Sequence, residues 1–332
     1  MVAFHVIKYL QSKGHDVRVI LHQAGMYKIR VPYSYDGIDV MGPTSNMDQY
    51  RWADLLITHL DYSQFTIAIG EMLKIPVLNM IHNDIPYSSV INARHSNYVV
   101  YNSDWIRKKL NYKWPSMVLY PPCDVGFYNV CEKPINNECI TLISLNENKG
   151  GNVFYEVARR MPDRKFLGVR GSYDHQIIKD LPNVEIIPNT PDILQVYKRT
   201  RILLMPSRYE SWGRTATEAM ASGIPVICAP TPGLSENCAD AGLYCEKRAP
   251  LKPNNDPNDI EDDEPAVLSI IRQIKKLDKP NFYAAVSQRC LERAAELNPE
   301  KQLNELNEFI KTIGRDHQPV GIRKQSFRTA NA

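Results

Sequence analysis

The sequence predicts an α/β protein with two domains in tandem, each built on a parallel sheet and the two facing a cleft. Short apolar runs alternate with longer segments of helical period along most of the chain, as in repeated strand–helix units. The chain has 332 residues, more than one hydrophobic core comfortably spans. The alternation stops at Pro121-Pro122, where neither a helix nor a strand can continue. These observations place a linker after the first series of elements.

The first predicted domain covers residues 1–122 and opens with a helix. Met1–Leu10 has a helical period, and Gly14 follows as a C-cap. Because a doubly wound sheet normally starts with a central strand, the first strand of this domain is expected to be missing. We expect that strand upstream of Met1, since its loss would leave two unpaired edges inside the sheet. The predicted strands are Val17–Leu21, Leu55–Thr58, Val77–Ile81, Tyr98–Asn102 and Met117–Tyr120.

The second predicted domain covers residues 123–297 and repeats the alternation. Its predicted strands are Ile140–Leu145, Lys165–Val169, Val184–Ile187, Ile202–Met205, Val226–Cys228 and Leu243–Cys245. A helix at residues 298–314 is expected to cross back to the first domain. Residues 315–332 are polar and aperiodic, which predicts a disordered tail.

Composition excludes several classes of protein. With 43% hydrophobic and 23% charged residues the chain is typical of a soluble globular protein. A net charge of +3 disfavours nucleic acid as the main partner and is compatible with anionic small molecules or a peripheral contact with anionic lipid. Seven cysteines without a C-x-x-C pair predict neither disulfides nor zinc, and Cys228 and Cys245 are predicted core thiols. No apolar run approaches 18 residues, so we expect a cytoplasmic location.

A Gly-bearing turn follows the strand Ile140–Leu145. The segment "NENKGG", Asn146–Gly151, offers backbone N–H groups, a helix N-terminus and the cation Lys149 to an anion. It lacks the spacing of a P-loop, and no G-x-G-x-x-G follows a strand. Standing alone, the segment would favour a solvated turn that carries an exposed lysine.

Two acids flank a second strand-to-helix turn. Glu210 precedes Ser211-Trp212-Gly213, and Glu218 lies in the following helix. The turn itself can hold a diphosphate, whereas carboxylates beside an anion are better explained as acceptors for hydroxyl groups on either side of it. The alternative is that Glu210 is an N-cap acid and Glu218 a solvent-facing helix residue.

The stretch "ESWGRTATEAMASGIPVI" resembles the E-x7-E signature of glycosyltransferase family 4, retaining enzymes of the GT-B fold related to glycogen synthase and sucrose synthase. The segments "WADLLITHLD", "IPVLNMIHND", "YVVYNSDWIRKKL", "VLYPPCD", "SLNENKGG" and "PTPGLSENCADAGLYCE" resemble further motifs of that family in the same order. The resemblance implies two Rossmann-like domains and transfer of a sugar from a nucleotide-diphosphate sugar, without a metal or other cofactor.

The resemblance also implies roles for particular residues. Lys149 would contact the donor diphosphate with help from Asn146, Glu210 would hold hydroxyls of the donor sugar, and Glu218 would bind the ribose. His82 would line the donor sugar and the acceptor side, with His59 and Asn102 as weaker candidates. The remaining donor contacts would come from Ser211, Trp212, Gly213, Arg214 and Thr215.

Two departures from the family pattern keep other functions open. Ser144 stands where the family often has a second phosphate cation, and the first strand with its Gly-rich loop is not seen ahead of Met1. A non-catalytic module that binds nucleotide sugars is therefore one alternative, and another GT-B chemistry, such as that of an epimerase or a phosphorylase, is a second. The acceptor, whether a glycan, a lipid-linked sugar or a small molecule, is expected to depend on loops of the first domain such as Met26–Asp36 and Asp84–His95, which have no readable code.

Overall fold

The computed structural model describes residues 2–22, 28–42, 47–85, 97–250 and 263–316. The chain forms two compact units. Unit 1 comprises Met1–Val100, Lys113–Met117 and Gln302–Ala332, and unit 2 comprises Tyr101–Tyr112 and Val118–Lys301. Residues 101–112 and 118–122 therefore belong to unit 2. The sequence instead predicts that the first domain extends to residue 122.

Unit 2 is built on one six-stranded sheet. Its strands are β8 (Cys139–Ile143), β9 (Lys165–Val169), β10 (Val184–Ile187), β11 (Thr200–Met205), β12 (Val226–Cys228) and β13 (Leu243–Tyr244). The order is β10-β9-β8-β11-β12-β13, and every adjacent pair is parallel. The order reverses direction between β8 and β11, the place where open parallel sheets usually bind ligands.

Helices cover this sheet because their apolar residues recur at helical spacing. The helices of unit 2 are α4 (Asp104–Leu110), α5 (Val125–Tyr128), α6 (Gly151–Arg160), α7 (Ile193–Tyr197), α8 (Arg214–Ala221), α9 (Pro232–Cys238), α10 (Glu264–Leu277) and α11 (Pro280–Glu296). A continuous core of strand and helix residues joins this sheet to all of these helices except α4. Cys228 and Cys245 lie in that core with exposed fractions of 0% and 5%, as predicted.

Unit 1 contains two smaller sheets. The first has the order β1-β3-β2, from Arg18–Ile20, Ile38–Met41 and Tyr33–Tyr35. The second has the order β4-β5-β6-β7, from Leu56–His59, Val77–Ile81, Asn97–Tyr101 and Ser116–Val118. Within the described residues, no strand pairs with both β1 and β4.

The hairpin β2–β3 was not predicted, and it makes this part of unit 1 antiparallel. Asp36 and Gly37 both have positive φ, 49° and 71°, which is the backbone of the two-residue turn that Asp-Gly favours. The side chains of Lys8 and Gln11 bind the carbonyls of Asp36 and Gly37 at 2.7 and 2.9 Å. The hairpin is thus fixed to the first helix, α1 (Val2–Ser12).

The other helices of unit 1 are α2 (Asp48–Arg51), α3 (Ser63–Leu73) and α12 (Glu300–Asp316). Most of α12 belongs to unit 1, where Asn304 accepts a hydrogen bond of 2.6 Å from Tyr9 and Asn307 lies 2.8 Å from His15. None of the described helices is both long enough and apolar enough to cross a bilayer. The predicted tail, residues 315–332, lies almost wholly outside the described residues.

Candidate functional site

The loop after β8 is the first part of the candidate site. Ser144 has φ +69°, a conformation that costs a non-glycine residue energy and often marks functional loops. Asn146 is buried, and its Oδ1 accepts a hydrogen bond of 2.9 Å from the backbone N–H of Lys149. The loop is therefore held by its own buried asparagine and presents Lys149 in a fixed position.

Lys149 pairs with Glu210, the first acid of the predicted motif. The ammonium group of Lys149 binds Oε1 of Glu210, and the two side chains are only 20% and 8% exposed. Burial alone would lower the pKa of Lys149, but the adjacent carboxylate outweighs burial and raises it. The alternative of a solvated turn with an exposed lysine is wrong. The N-cap alternative for Glu210 is also wrong, because Gly213 is the N-cap of α8.

Asn148 joins the loops that carry Lys149 and Glu210. Its side chain donates to the carbonyl of Tyr209 and accepts from the N–H of Tyr209, both at 3.1 Å. Its own carbonyl accepts from the N–H of Arg208 at 2.9 Å. Three hydrogen bonds from one residue fix the separation of the two loops.

Glu218, the second acid, is buried with an exposed fraction of 6%. Its carboxylate lies 2.9 Å from Nε of Arg214 and accepts a hydrogen bond of 2.7 Å from the hydroxyl of Tyr197. Burial, followed by the charge of Glu218, raises the pKa of Tyr197 well above its usual value, so the phenol stays protonated and donates. The alternative of a solvent-facing Glu218 is wrong, since α8 turns this residue inward.

The turn between the two acids needs a glycine at its last position. Gly213 has φ +85°, and a Cβ there would lie 2.5 Å from the side chain of Leu234. Asn237 donates to the carbonyls of Trp212 and Gly213 at 3.1 and 3.0 Å. The ring of Trp212 is 2% exposed and stacks on Tyr120 at 4.2 Å. Trp212 is thus buried, whereas Ser211, Arg214 and Thr215 are partly exposed.

Residues at or just before the start of α4 make hydrogen bonds to the turn of residues 211–213. The sequence carries no sign of these contacts. The indole N–H of Trp105 donates to the carbonyl of Ser211 at 2.8 Å, and Nδ2 of Asn102 donates to the hydroxyl of Ser211 at 3.1 Å. The carboxylate of Glu236 accepts the N–H groups of Asp104 and Trp105 at 2.7 and 2.9 Å. Asn102, a weak candidate from the sequence, thus touches the candidate site, and Trp105 and Glu236 were missed.

A network of four charged residues, two of which are buried, joins these loops to Arg248 and Asp263 and was also missed. The guanidinium of Arg248 contacts Glu147 at 2.7 Å and Asp263 at 2.8 Å. Arg208 contacts the same two acids at 3.1 and 3.0 Å. Arg248 also donates to the carbonyls of Glu147 and Pro206 at 2.9 and 3.3 Å. These residues come from four separate segments, so no local pattern could predict their meeting.

His82 and His59 lie together in unit 1, at the ends of the adjacent strands β5 and β4. Their ring centroids are 5.4 Å apart in an edge-to-face arrangement. Burial, followed by the neighbouring His59, lowers the pKa of His82 to about 4, so its imidazole is neutral at physiological pH. Leu60, directly after His59, has φ +55°. No group of three or more His, Cys, Asp or Glu side chains within the described ranges could hold a metal ion.

Part of the chain is similar in sequence to known glycosyltransferases. Residues 141–276 match the family model "Glycosyl transferases group 1". The O-antigen chain mannosyltransferase B of Escherichia coli is 36% identical over 70 residues, which are 21% of this chain and 16% of that protein. An uncharacterized glycosyltransferase of Methanocaldococcus jannaschii is 23% identical over 79% of this chain and 78% of its own.

Solved structures share the fold. The sucrose-phosphate synthase of Thermosynechococcus elongatus aligns with a TM-score of 0.69 and 13% identity over 94% of this chain and 92% of that one. Anabaena HepE in complex with UDP and glucose aligns with a TM-score of 0.64 and 14% identity over 83% and 87%. The chain has the α/β fold of GT-B glycosyltransferases, and the region that matches the family model, residues 141–276, carries Lys149, Glu210 and Glu218.

Proposed function

We propose that this protein transfers a sugar from a nucleotide-diphosphate sugar to an acceptor hydroxyl with retention of anomeric configuration. The observation that carries the proposal is the pair of buried ion pairs in unit 2, Lys149–Glu210 and Arg214–Glu218. They lie where the order of the parallel sheet reverses direction. Relatives in the glycosyltransferase group and a structural neighbour with bound UDP and glucose support a donor of this class.

Each ion pair contains one group suited to phosphate and one suited to hydroxyls. In a bound donor, Lys149 and Arg214 would turn to the phosphate oxygens, and their former partners would accept hydrogen bonds from hydroxyls. Glu210 would then bind the sugar, and Glu218 would bind the ribose. A pre-formed pair keeps both buried charges compensated and oriented, so binding exchanges partners without ordering new side chains.

The departing diphosphate would be stabilised electrostatically. Lys149 supplies a full charge, and the N-terminus of α8 after Gly213 supplies backbone N–H groups. Asn146 would add a polar contact where Ser144 replaces the second cation of the family. Removing one preorganised donor of this kind typically slows a reaction by about 100- to 1,000-fold. This mechanism needs no metal ion.

His82 would act as a neutral hydrogen-bonding group on the acceptor side. With a pKa of about 4 its imidazole carries one N–H donor and one acceptor nitrogen at neutral pH. It would therefore bind a hydroxyl rather than a phosphate. This role predicts activity that does not follow the titration of an ordinary histidine near pH 6.5.

A panel of sugar nucleotides tests the function. UDP-, GDP-, ADP- and dTDP-sugars would be incubated with the protein and simple glycosides, with release of nucleoside diphosphate as the readout. We expect nucleoside diphosphate to be released from one class of donor. NMR of the product should show a new glycosidic bond with the same anomeric configuration as the donor. Binding without release would favour a non-catalytic module, and isomerised donor or phosphate-dependent turnover would favour another GT-B chemistry. No binding of any donor would contradict the proposal.

A further inference from the structure

An apolar and basic surface lies along the outer strand of the three-stranded sheet in unit 1. Residues 28–30 and 32–35 are all exposed. Three of them are large apolar residues, since Ile29 is 40% exposed, Tyr33 41% and Tyr35 63%. Large exposed apolar side chains that cluster in one segment are typical of surfaces that bind a protein or a membrane. Residues 28–35 are called the hairpin edge below.

The pairing of β2 with β3 places the two tyrosine rings at the margin of an apolar face. Tyr33 lies opposite Val40 and Tyr35 opposite Ile38, so both tyrosines share a sheet face with buried residues. The ring of Phe4 packs edge-to-face against Tyr35, with 5.9 Å between the centroids. Because β2 is the outer strand of its sheet, the tyrosine rings are supported from one side and open to solvent on the other.

The hairpin edge also carries an excess of positive charge. Lys28 and Arg30 are both exposed, and within the described ranges neither of them forms an ion pair with an acid. The acid that follows β2, Asp36, lies 3.2 Å from the ammonium group of Lys8. Asp39 alternates with the buried residues of β3 and therefore points to the opposite face of the sheet. Two cations thus flank Ile29 without a compensating acid.

We propose that the hairpin edge docks unit 1 onto a bilayer that contains anionic lipids. Tyrosine rings favour the boundary between headgroups and acyl chains, and Ile29 would enter that boundary between its two charged neighbours. Lys28 and Arg30 would meet the negative surface, where one cation strengthens binding by about fivefold. The proposal does not involve the sugar donor, so its test is independent of the proposed function.

A second copy of the chain fits this surface less well than a bilayer. An outer strand can pair with another strand, but β2 has only three residues and Pro32 stands directly before it, and both features hinder such pairing. A two-fold contact through β2 would also bring Lys28 and Arg30 of both copies to one interface. The two sets of cations would repel each other, whereas an anionic bilayer attracts them.

Vesicle flotation with the full chain tests the proposal. Vesicles of phosphatidylcholine alone would be compared with vesicles in which about one-third of the lipid is phosphatidylglycerol. We expect the protein to float with the anionic vesicles, and added salt should weaken binding because it screens the cations. Lys28→Gln with Arg30→Gln should weaken binding by about 30-fold. Tyr33→Ser with Tyr35→Ser should weaken it by at least about tenfold.

Unit 2 offers a matched control for each pair of substitutions. Lys275→Gln with Lys276→Gln removes the same net charge from exposed positions of α10. Phe127→Ser removes an aromatic ring that is 54% exposed. Both control variants should bind anionic vesicles like the wild type, because their residues lie outside the hairpin edge.

Three results would overturn the proposal. Wild-type protein that does not float with anionic vesicles would show that no such docking occurs. Equal losses of binding in the hairpin-edge variants and in the matched controls would place the contact elsewhere on the surface. A dimer in analytical ultracentrifugation that Tyr33→Ser with Tyr35→Ser dissociates, without flotation of the wild type, would assign the hairpin edge to a second copy of the chain.

Discussion

Ion pairs in the two units lie in different surroundings. In unit 1, Lys8 and Asp36 form a pair whose side chains are 38% and 58% exposed. In unit 2, Arg248 and Asp263 are 0% and 3% exposed. Exposed pairs stabilise a fold by about 0–1 kcal/mol, whereas burying each charge costs several kcal/mol that the pairing only partly recovers. Stability therefore does not explain the buried pairs of unit 2, whereas the fixing of the loops after β8 and β11 does.

Removing Arg248 should have the largest effect on stability and tests the difference between buried and exposed ion pairs. The variant Arg248→Ala leaves Glu147 and Asp263 sharing only Arg208, so we expect a loss of about 3–5 kcal/mol in the free energy of unfolding. Lys8→Ala, the control in unit 1, should lose about 0–1 kcal/mol. Urea titrations followed by circular dichroism measure both. Equal losses in the free energy of unfolding for the two variants would show that burial does not determine how much an ion pair matters for stability.

Variants of Lys149 test whether the Lys149–Glu210 pair stabilises unit 2 or only compensates two buried charges. Lys149→Ala leaves Glu210 buried without its cation, which should lower the free energy of unfolding by about 3 kcal/mol. The double variant Lys149→Met with Glu210→Gln removes both charges and should recover stability to within about 1 kcal/mol of the wild type. The same titrations apply. A double variant less stable than Lys149→Ala would contradict the charge argument.

Trp105 makes one hydrogen bond to the turn at Ser211, and its loss should have a smaller effect. Trp105→Phe keeps an aromatic ring but removes the indole N–H, a neutral hydrogen bond of about 1 kcal/mol. We expect about fivefold lower kcat/KM for the donor and faster hydrogen exchange in residues 207–217. Trp52→Phe, in unit 1, is the control. Unchanged exchange in residues 207–217 would show that α4 does not fix this turn.

His82 should make the stability of the protein depend on pH. Its pKa is about 4 in the folded protein against an ordinary 6.5, so between these values the unfolded state binds a proton that the folded state does not. Stability from this group is complete above pH 6.5 and falls as the pH drops toward 4. In the variant His82→Gln, the melting temperature should change less with pH between about pH 4 and pH 6.5 than it does in the wild type. If the melting temperatures of the variant and the wild type changed with pH in the same way, His82 would not be the source of this pH dependence.

Much of unit 2 could be predicted because its signals are local. Strands such as Lys165–Val169 and Val184–Ile187 are short apolar runs between turn residues, and the structure has them with the predicted bounds. Gly213 and Glu218 were identifiable from a turn followed by a helix, although the inward direction of Glu218 depends on packing against Tyr197. Each of these features is encoded within about two turns of helix or one strand.

The supporting residues could not be predicted because their partners lie far away in the chain. Glu236 binds backbone groups 131 and 132 positions earlier, and Arg248 meets Glu147 across 101 positions. In unit 1 the hairpin had a local signal, the Asp36-Gly37 turn, which alternating residues on both sides should have revealed. The loops expected to choose the acceptor, Met26–Asp36 and Asp84–His95, lie partly outside the described residues.

The most direct test of the account compares donor turnover by the wild type with that of the double variant Lys149→Met, Glu210→Gln. Both proteins would be given the sugar nucleotide found by the panel, at equal concentration, and released nucleoside diphosphate would be measured. The account predicts at least about 100-fold slower release by the variant, with a melting temperature close to that of the wild type. Equal rates of release would contradict the claim that this buried pair is the centre of the donor site.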